Sequence, residues 1–272
     1  MLINDGILIA LVSAVVFMTA NYILAQLKRD TSIVDVAWGL GFFVVALSLS
    51  IQLDGQNDIF SLVHLLVVLW SVRLFMHILL RRAGKDEDWR YANWRTQWGR
   101  THWWRSFLQV FILQAVLMTV IAAPLYVSWA AEDTSIQWVS IVGAAVWLLG
   151  FYFESVGDYQ LTKFIQDKNL NRAKKGKKKS KKKQPEFLTT GLWRLTRHPN
   201  YFGEVTQWWG LWIIVLPTSY GLAAIVSPIT ITALLLWVSG VPMLEKKWAD
   251  NKEFLKYKQK TNAFFPGKPK GR

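Results

Sequence analysis

Apolar side chains run nearly unbroken through 6–27, 33–53, 59–80, 107–130 and 136–157, five stretches close to the ~20 residues a helix needs to cross a bilayer. Short polar segments separate them. A further apolar stretch, 202–240, is too long for a single crossing and carries Pro217, Gly221 and Pro228. Proline interrupts the helical ladder and glycine favours a turn, so the pattern predicts two helices hinged at LPTSYG, 216–221. The expected fold is an all-α polytopic membrane protein of seven transmembrane helices. One membrane domain covers 1–272, with four N-terminal helices in 1–130 and a C-terminal region at 136–266. The opening MLINDGILIALVSAVVF has no basic stretch ahead of its apolar run and no small-residue cleavage site, so it reads as a retained helix.

The cations sort with this count. Lys and Arg are enriched in cytoplasmic loops, and here 31 of the 32 fall in alternate connections: 28–29, 81–105, 158–201 and the tail after Pro242. Arg73 is the exception. The connections at 54–58, 131–135 and 217–221 carry none, which predicts the N-terminus outside and the C-terminus in the cytoplasm. Eight lysines lie in KKGKKKSKKK, 174–183, and the net charge of +14 falls to +6 without them. Such a run is normally solvated and drawn to anionic head groups, and an insertion at 172–184 is expected to be disordered. No aromatic interleaves the lysines to stack on bases, so nucleic acid is not an expected partner. Trp89, Trp94, Trp98, Trp103 and Trp104 suit a loop lying along the interface. The chain has no cysteine, which excludes disulfides and thiolate chemistry. His64, His77, His102 and His198 are not at metal-ligand spacing, so no metal is expected. No internal repeat points to a transporter of two related halves.

A charge at membrane depth costs at least ~2.5 kcal/mol, so each one should face a partner or a cavity. Asp35 lies near the start of the second span, Arg73 in the third, Glu154 and Asp158 at the end of the fifth and Glu204 at the start of the sixth. Asp35 and Arg73 are either an interhelical ion pair or the lining of a pocket. His77 and Arg81 follow Arg73 at successive i+4 positions and, with Arg82, climb toward the basic side, a row suited to an anion or to snorkelling cations. Glu154 and Asp158 are also four apart and share a face. Two carboxylates with no third ligand do not chelate a metal; hydrogen bonds to the hydroxyls or amides of a ligand are the better use, with a pair simply facing water as the alternative.

The densest polar set is LTRHPNYFGEVTQWWGLW, 195–212. Pro199 suits the first position of a helix, where its missing N–H is no loss, and the helix is predicted to run from there through Trp212. Along it, Asn200 and Glu204 are i and i+4, Tyr201 and Glu204 are i and i+3, and Gln207 and Trp208 continue the face. Arg194, Arg197 and His198 precede it, next to free N–H groups that favour an anion. The pattern describes a site for a large polar ligand with a charged end.

GLWRLTRHPNYFGEVTQWWGLW, 191–212, resembles the C-terminal signature of the steroid 5α-reductase family and its bacterial membrane relatives, and more distantly that of sterol reductases and isoprenylcysteine carboxyl methyltransferases. SVGDYQL, 155–161, is similar to the family's acidic stretch, and LEKKWADNKEFLKYKQKTNAFFP, 244–266, to its terminal motif. The similarity covers 150–266 well and the first four spans weakly. It implies a seven-helix membrane enzyme that binds NADPH, NADH not excluded, and reduces the C=C bond of a lipid-soluble enone. By the same resemblance Asn200 meets the nicotinamide carboxamide region, and Glu154 and Asp158 meet other polar groups of the cofactor. Arg81 and Arg82 match a cofactor-contacting stretch, and Tyr257 with Lys258 closes over the dinucleotide. Arg73, His77, Arg197 and His198, marked above by position, complete the expected cofactor set. The family's steroid reductases hold the substrate carbonyl with an acid and a Tyr. Asp35 stands for the acid, but Trp70 falls near the Tyr position, so Asp35, His77 or Tyr201 has to supply the proton; the expected catalytic set is Asp35, Tyr201 and Glu204.

The expectation is therefore a hydride passed to the β-carbon of an enone while an acid polarises its carbonyl. Methyl transfer from S-adenosylmethionine is the alternative, because the methyltransferase relatives share the RHP-x-Y helix entry. A lipid-binding membrane protein without catalysis is the third, with Trp70 as its sign. The lack of a retention or organelle signal, together with the bacterial relatives, predicts a bacterial inner membrane.

Overall fold

The computed structural model describes residues 2–53, 55–175 and 185–269. The described residues contain helices and no β-strand. Helices α1 (Ile3–Lys28), α2 (Ile33–Ile51) and α3 (Asp58–Arg82) follow the first three apolar stretches. α1 closes at Arg29, whose left-handed φ of 53° lets the Asp30 amide bond back to the Ala25 carbonyl, and the chain turns into α2 within four residues. Asn57 caps α3 by accepting from the Phe60 amide at 2.8 Å.

Beyond α3 the structure corrects two boundaries. The segment expected as an interfacial loop holds α4 (Trp89–Trp98), capped by Asp88. The chain continues through α5 (His102–Ser106) and a π-helical turn into α6 (Leu113–Ile121). The fourth long apolar helix is thus Trp89–Ile121 rather than 107–130. Its end falls at Ala122, just ahead of Pro124 in the short α7 (Ala123–Trp129). α8 (Trp138–Lys175) is 38 residues long, so Glu154 and Asp158 sit inside a helix and do not close it. No glycine or proline follows Gly157 until 176, and the intervening residues are mostly good helix formers.

α9 (Pro199–Val215) starts at Pro199 as the motif predicts, and the break at 216–221 is present. α10 (Val226–Ala233) and α11 (Val241–Lys246) belong to the apolar helix Ala223–Lys246, and α12 (Lys252–Lys260) follows under an Asn251 cap. Of the insertion expected at 172–184, residues 172–175 continue α8, and 176–184 lie outside the described residues.

Among the described residues, six helices are long and apolar enough to cross a membrane: α1, α2, α3, Trp89–Ile121, Trp138–Asn171 and Ala223–Lys246. The protein is an integral membrane protein. α9, with 17 residues, is about 25 Å long at ~1.5 Å per residue, shorter than the ~30 Å of a hydrocarbon core. Large side chains such as Val16, Leu27, Leu80, Leu148 and Trp138 stand exposed on these helices, an arrangement that lipid tolerates and water does not.

The chain divides into two compact units, Met1–Ala144 with Leu211–Thr230, and Ala145–Gly210 with Ile231–Arg272. Residues 211–230 therefore pack with the N-terminal helices although they follow the motif in sequence. In the first unit α2 packs along α1 and α3, around a core that includes Met18, Phe42, Leu49, Trp70, Phe111 and Met118. Trp70 meets the ring of Phe42 edge-on at 5.2 Å, a core position. The second unit is organised by α8 against the first turns of α9.

Candidate functional site

Glycine sets the closeness of α8 and α9. A Cβ on Gly203 would lie 2.3 Å from the Glu154 nitrogen and 2.5 Å from the Gly150 carbonyl oxygen, and one on Gly150 would lie 2.6 Å from the Gly203 oxygen. The two backbones touch there, as small residues allow between helices in a membrane. Further along α8, Gly157 faces Pro199 and the Asn200 nitrogen. The seam formed in this way buries Glu154, Asp158 and Gln207.

Two rungs cross the seam. Gln207 Nε2 donates to Glu154 Oε2 at 2.5 Å and to the Gly203 carbonyl at 3.3 Å. Asn200 Nδ2 donates to Asp158 Oδ1 at 3.1 Å. Glu154 and Asp158 are one turn apart on α8 and Asn200 and Gln207 two turns apart on α9, so each carboxylate meets a carboxamide. Gln207 Oε1, on the same carboxamide, and Ser155 Oγ on α8 are buried with no hydrogen-bond partner among the described residues, which makes them acceptors, and in the case of Ser155 a donor, that a ligand can satisfy. On the same helix Glu204 is buried and Tyr201 half-buried; the Tyr201 ring stacks on His198 at 5.6 Å and 8°.

The basic end of the motif is organised by a residue the sequence pattern does not single out, Glu245. Arg197 donates to Glu245 Oε1 from Nε at 2.9 Å and from Nη2 at 2.7 Å, and to the carbonyls of Thr261 and Lys258 from Nη1 at 2.5 and 3.3 Å. His198 Nε2 lies 3.2 Å from the same carboxylate oxygen, and Lys258 Nζ lies 3.1 Å from the other. Arg197, His198, Tyr257 and Lys258, all expected to receive a dinucleotide, are thus gathered in one place, with the first, second and fourth around an internal carboxylate. Tyr257 donates its hydroxyl to the Trp193 carbonyl, and burial pushes its pKa well up, so it remains a donor. Trp193 Nε1 in turn donates to the Gly157 carbonyl at 3.0 Å. The tail runs beside the motif: Arg197 N donates to Asn262 O at 2.9 Å and Gly267 N to Leu195 O at 3.0 Å.

The remaining expected residues belong to the first unit. Asp35 accepts from Arg90 Nη2 at 2.7 Å and from the Tyr91 hydroxyl at 2.6 Å, an ion pair with a cation of α4 that the sequence pattern does not single out. Arg90 Nε also donates to Asp88 at 2.8 Å. Arg82 turns to Asp30 at 2.9 Å, whereas Arg81 is exposed and Arg73 and His77 are half-buried on α3. Around the α1–α2 turn, Thr31 N donates to Glu87 at 2.7 Å, Arg95 Nη2 donates to Glu87 at 2.8 Å and Asp88 N donates to Ser32 Oγ at 3.1 Å. Burial would raise the Glu87 carboxyl, but the bonds from Arg95 and Thr31 prevail and its pKa lies below the usual carboxylate value. Asp88 follows the same balance, with Arg90 as the main donor. Arg90 and Tyr91 escape a sequence search because their segment reads as an interfacial loop. Glu245 escapes it because it sits among lysines, 48 residues from Arg197.

Compared with known proteins, residues 21–261 match a family described as protein of unknown function, DUF1295. No curated protein and no solved structure matches.

Proposed function

The chain belongs to the DUF1295 family, and we propose that it is a membrane oxidoreductase that reduces the C=C bond of a lipid-soluble enone with NADPH, NADH being admissible at the same site. The observation that carries this reading is the pair of carboxamide–carboxylate rungs on the α8–α9 seam. Amides and carboxylates are the groups that recognise a nicotinamide carboxamide and ribose hydroxyls, and Gln207 Oε1, buried without a hydrogen-bond partner among the described residues, fits a ligand rich in both. The resemblance of 191–212 to the steroid 5α-reductase signature supports the same assignment.

A dinucleotide bound there would supply a hydride to the β-carbon of the enone and leave as the oxidised nicotinamide. Asn200, Glu154, Asp158 and Gln207 orient it by exchanging amide and carboxylate bonds with it. Arg197, His198, Tyr257 and Lys258 keep the basic end of the motif and the tail in register. The reaction also needs one proton, with the carbonyl polarised as the hydride arrives. Within the same unit Tyr201, one turn before Glu204 on α9, is the acid available for this. The proton and the hydride together saturate the double bond and leave the ketone.

In this reading α9 is a seventh span, the N-terminus is outside and the C-terminus cytoplasmic, which the segregation of Lys and Arg supports. The membrane is a bacterial inner membrane, the lysine run meets its anionic head groups, and nucleic acid is not a partner. The test uses the full-length protein in lipid nanodiscs, with dinucleotide binding followed by NADPH fluorescence and turnover by enone-dependent loss of NADPH absorbance. Saturable binding and oxidation that requires the enone are expected. A folded protein that binds no dinucleotide would sink the proposal, and one that binds S-adenosylmethionine instead would move it to methyl transfer.

A further inference from the structure

We propose a separate binding site, for the phosphate head group of an anionic phospholipid, at the C-terminal end of the helix Ala223–Lys246. A cavity of about 330 Å³ lies there, with Pro242, Ala249, Phe254 and Leu255 as its apolar wall and Lys246, Lys258 and Glu245 as its polar rim. That volume is at the low end of the ~300–1,000 Å³ of ligand pockets, so it takes a head group and the start of its acyl chains, and not a whole lipid. The Glu245 carboxylate does not repel an anion, because Arg197, His198 and Lys258 already surround it. One carboxylate against Arg197, Lys258 and Lys246 leaves a net charge of +2 with His198 neutral. Lys258 keeps 53% of its side chain exposed and Lys246 is exposed as well.

Position selects a lipid over a soluble phosphate. Pro242, Glu245 and Lys246 form the last turn of a membrane-crossing helix. Trp237 and Trp248 are exposed near this end, and Lys247 Nζ lies 5.6 Å from the Trp248 ring. Trp and Lys at the end of a span mark the head-group level. A soluble phosphate has no use for a wall of Phe254, Leu255 and Pro242, whereas a phospholipid places its phosphate and its first methylenes side by side. This inference does not rest on the reductase reading, since it uses no residue of the α8–α9 seam.

The test is native mass spectrometry of the full-length protein released from vesicles of phosphatidylglycerol and phosphatidylcholine in equal amounts. Wild type is expected to retain phosphatidylglycerol preferentially. Lys246→Gln is expected to lower that retention roughly fivefold, the equivalent of the ~1 kcal/mol per cation near an anionic surface, and Lys246→Arg to preserve it. Ala249→Phe, which fills the apolar wall and changes no charge, is expected to lower it as well, which separates a built site from diffuse attraction by the lysine run. Equal retention of the two lipids, no effect of Lys246→Gln, or unchanged retention in Ala249→Phe would each overturn the proposal. So would displacement of the lipid by millimolar inorganic phosphate, which would assign the cavity to a soluble anion.

Discussion

The protein holds its inward carboxylates in two different ways. Asp35 and Glu87 in the first unit and Glu245 in the second are gripped by guanidinium groups: Arg90, Arg95 and Arg197. Glu154 and Asp158 on α8 accept from the carboxamides of Gln207 and Asn200. The energetic consequences differ. Removing one partner of a buried ion pair strands a charge and costs about 3–5 kcal/mol, whereas an amide bond to a carboxylate has a net worth of about 1.5–3 kcal/mol and can be exchanged for an equivalent bond to a ligand. The buried Arg197–Glu245 cluster is therefore fixed architecture, the partly exposed Asp35 and Glu87 pairs contribute less, and the amide rungs are where a ligand can enter.

The largest effect that tests this contrast is expected at Glu245. Glu245→Ala leaves Arg197, 6% exposed, without its carboxylate and should destabilise by about 3 kcal/mol or more, read as the shift in the unfolding midpoint in detergent. A loss below about 1 kcal/mol would remove the distinction between the two kinds of site. Next is Gly203→Ala, whose Cβ meets backbone atoms of α8 at 2.3 and 2.5 Å. Overpacking of this kind costs about 1–3 kcal/mol, and the helices must part, so dinucleotide binding should fall in parallel with the midpoint.

Asn200→Ala should do the opposite of Glu245→Ala. Its effect on the midpoint should be about 1.5–3 kcal/mol, while dinucleotide affinity drops roughly tenfold; a larger loss of stability with unchanged affinity would make the rung structural. The smallest effect concerns pH. The folded pKa of Glu87 is depressed by Arg95 and Thr31, so its contribution is complete above the unfolded carboxylate value and is lost as the pH falls through the folded one. Glu87→Gln should therefore flatten the decline of the unfolding midpoint between neutral pH and about pH 3, by less than about 1 kcal/mol, as expected for a partly exposed pair. An equally steep decline in the variant would place the acid sensitivity elsewhere.

Much of this was legible in the residues because it depends on short-range rules. Apolar run length predicts α1, α2 and α3, the proline rule predicts the start of α9 at Pro199, and Pro217 with Gly221 predicts the break before α10. The α4–α6 helix was not, because Trp89, Tyr91 and Trp94 suit an interfacial loop and an interfacial helix equally. The four-residue spacing of Glu154 and Asp158 showed that they share a face. It did not show that Asn200 and Gln207 meet them, since that pairing needs α8 and α9 to approach through Gly150, Gly157 and Gly203.

WRLTRHPNYFGE by itself determined a helix entry, its polar face and, through Arg194 and Arg197 against Glu204, a small excess of positive charge, all consequences of spacing within a few residues. Tertiary structure decided which partner each charged group has. It gave Arg197 to Glu245, Asp35 to Arg90 and Tyr91, and Asp158 to Asn200, residues separated by 42 to 56 positions. Such pairings are settled by which helices come close enough to exclude water, and for Asp158 and Asn200 that closeness depends on glycines that carry no chemistry of their own.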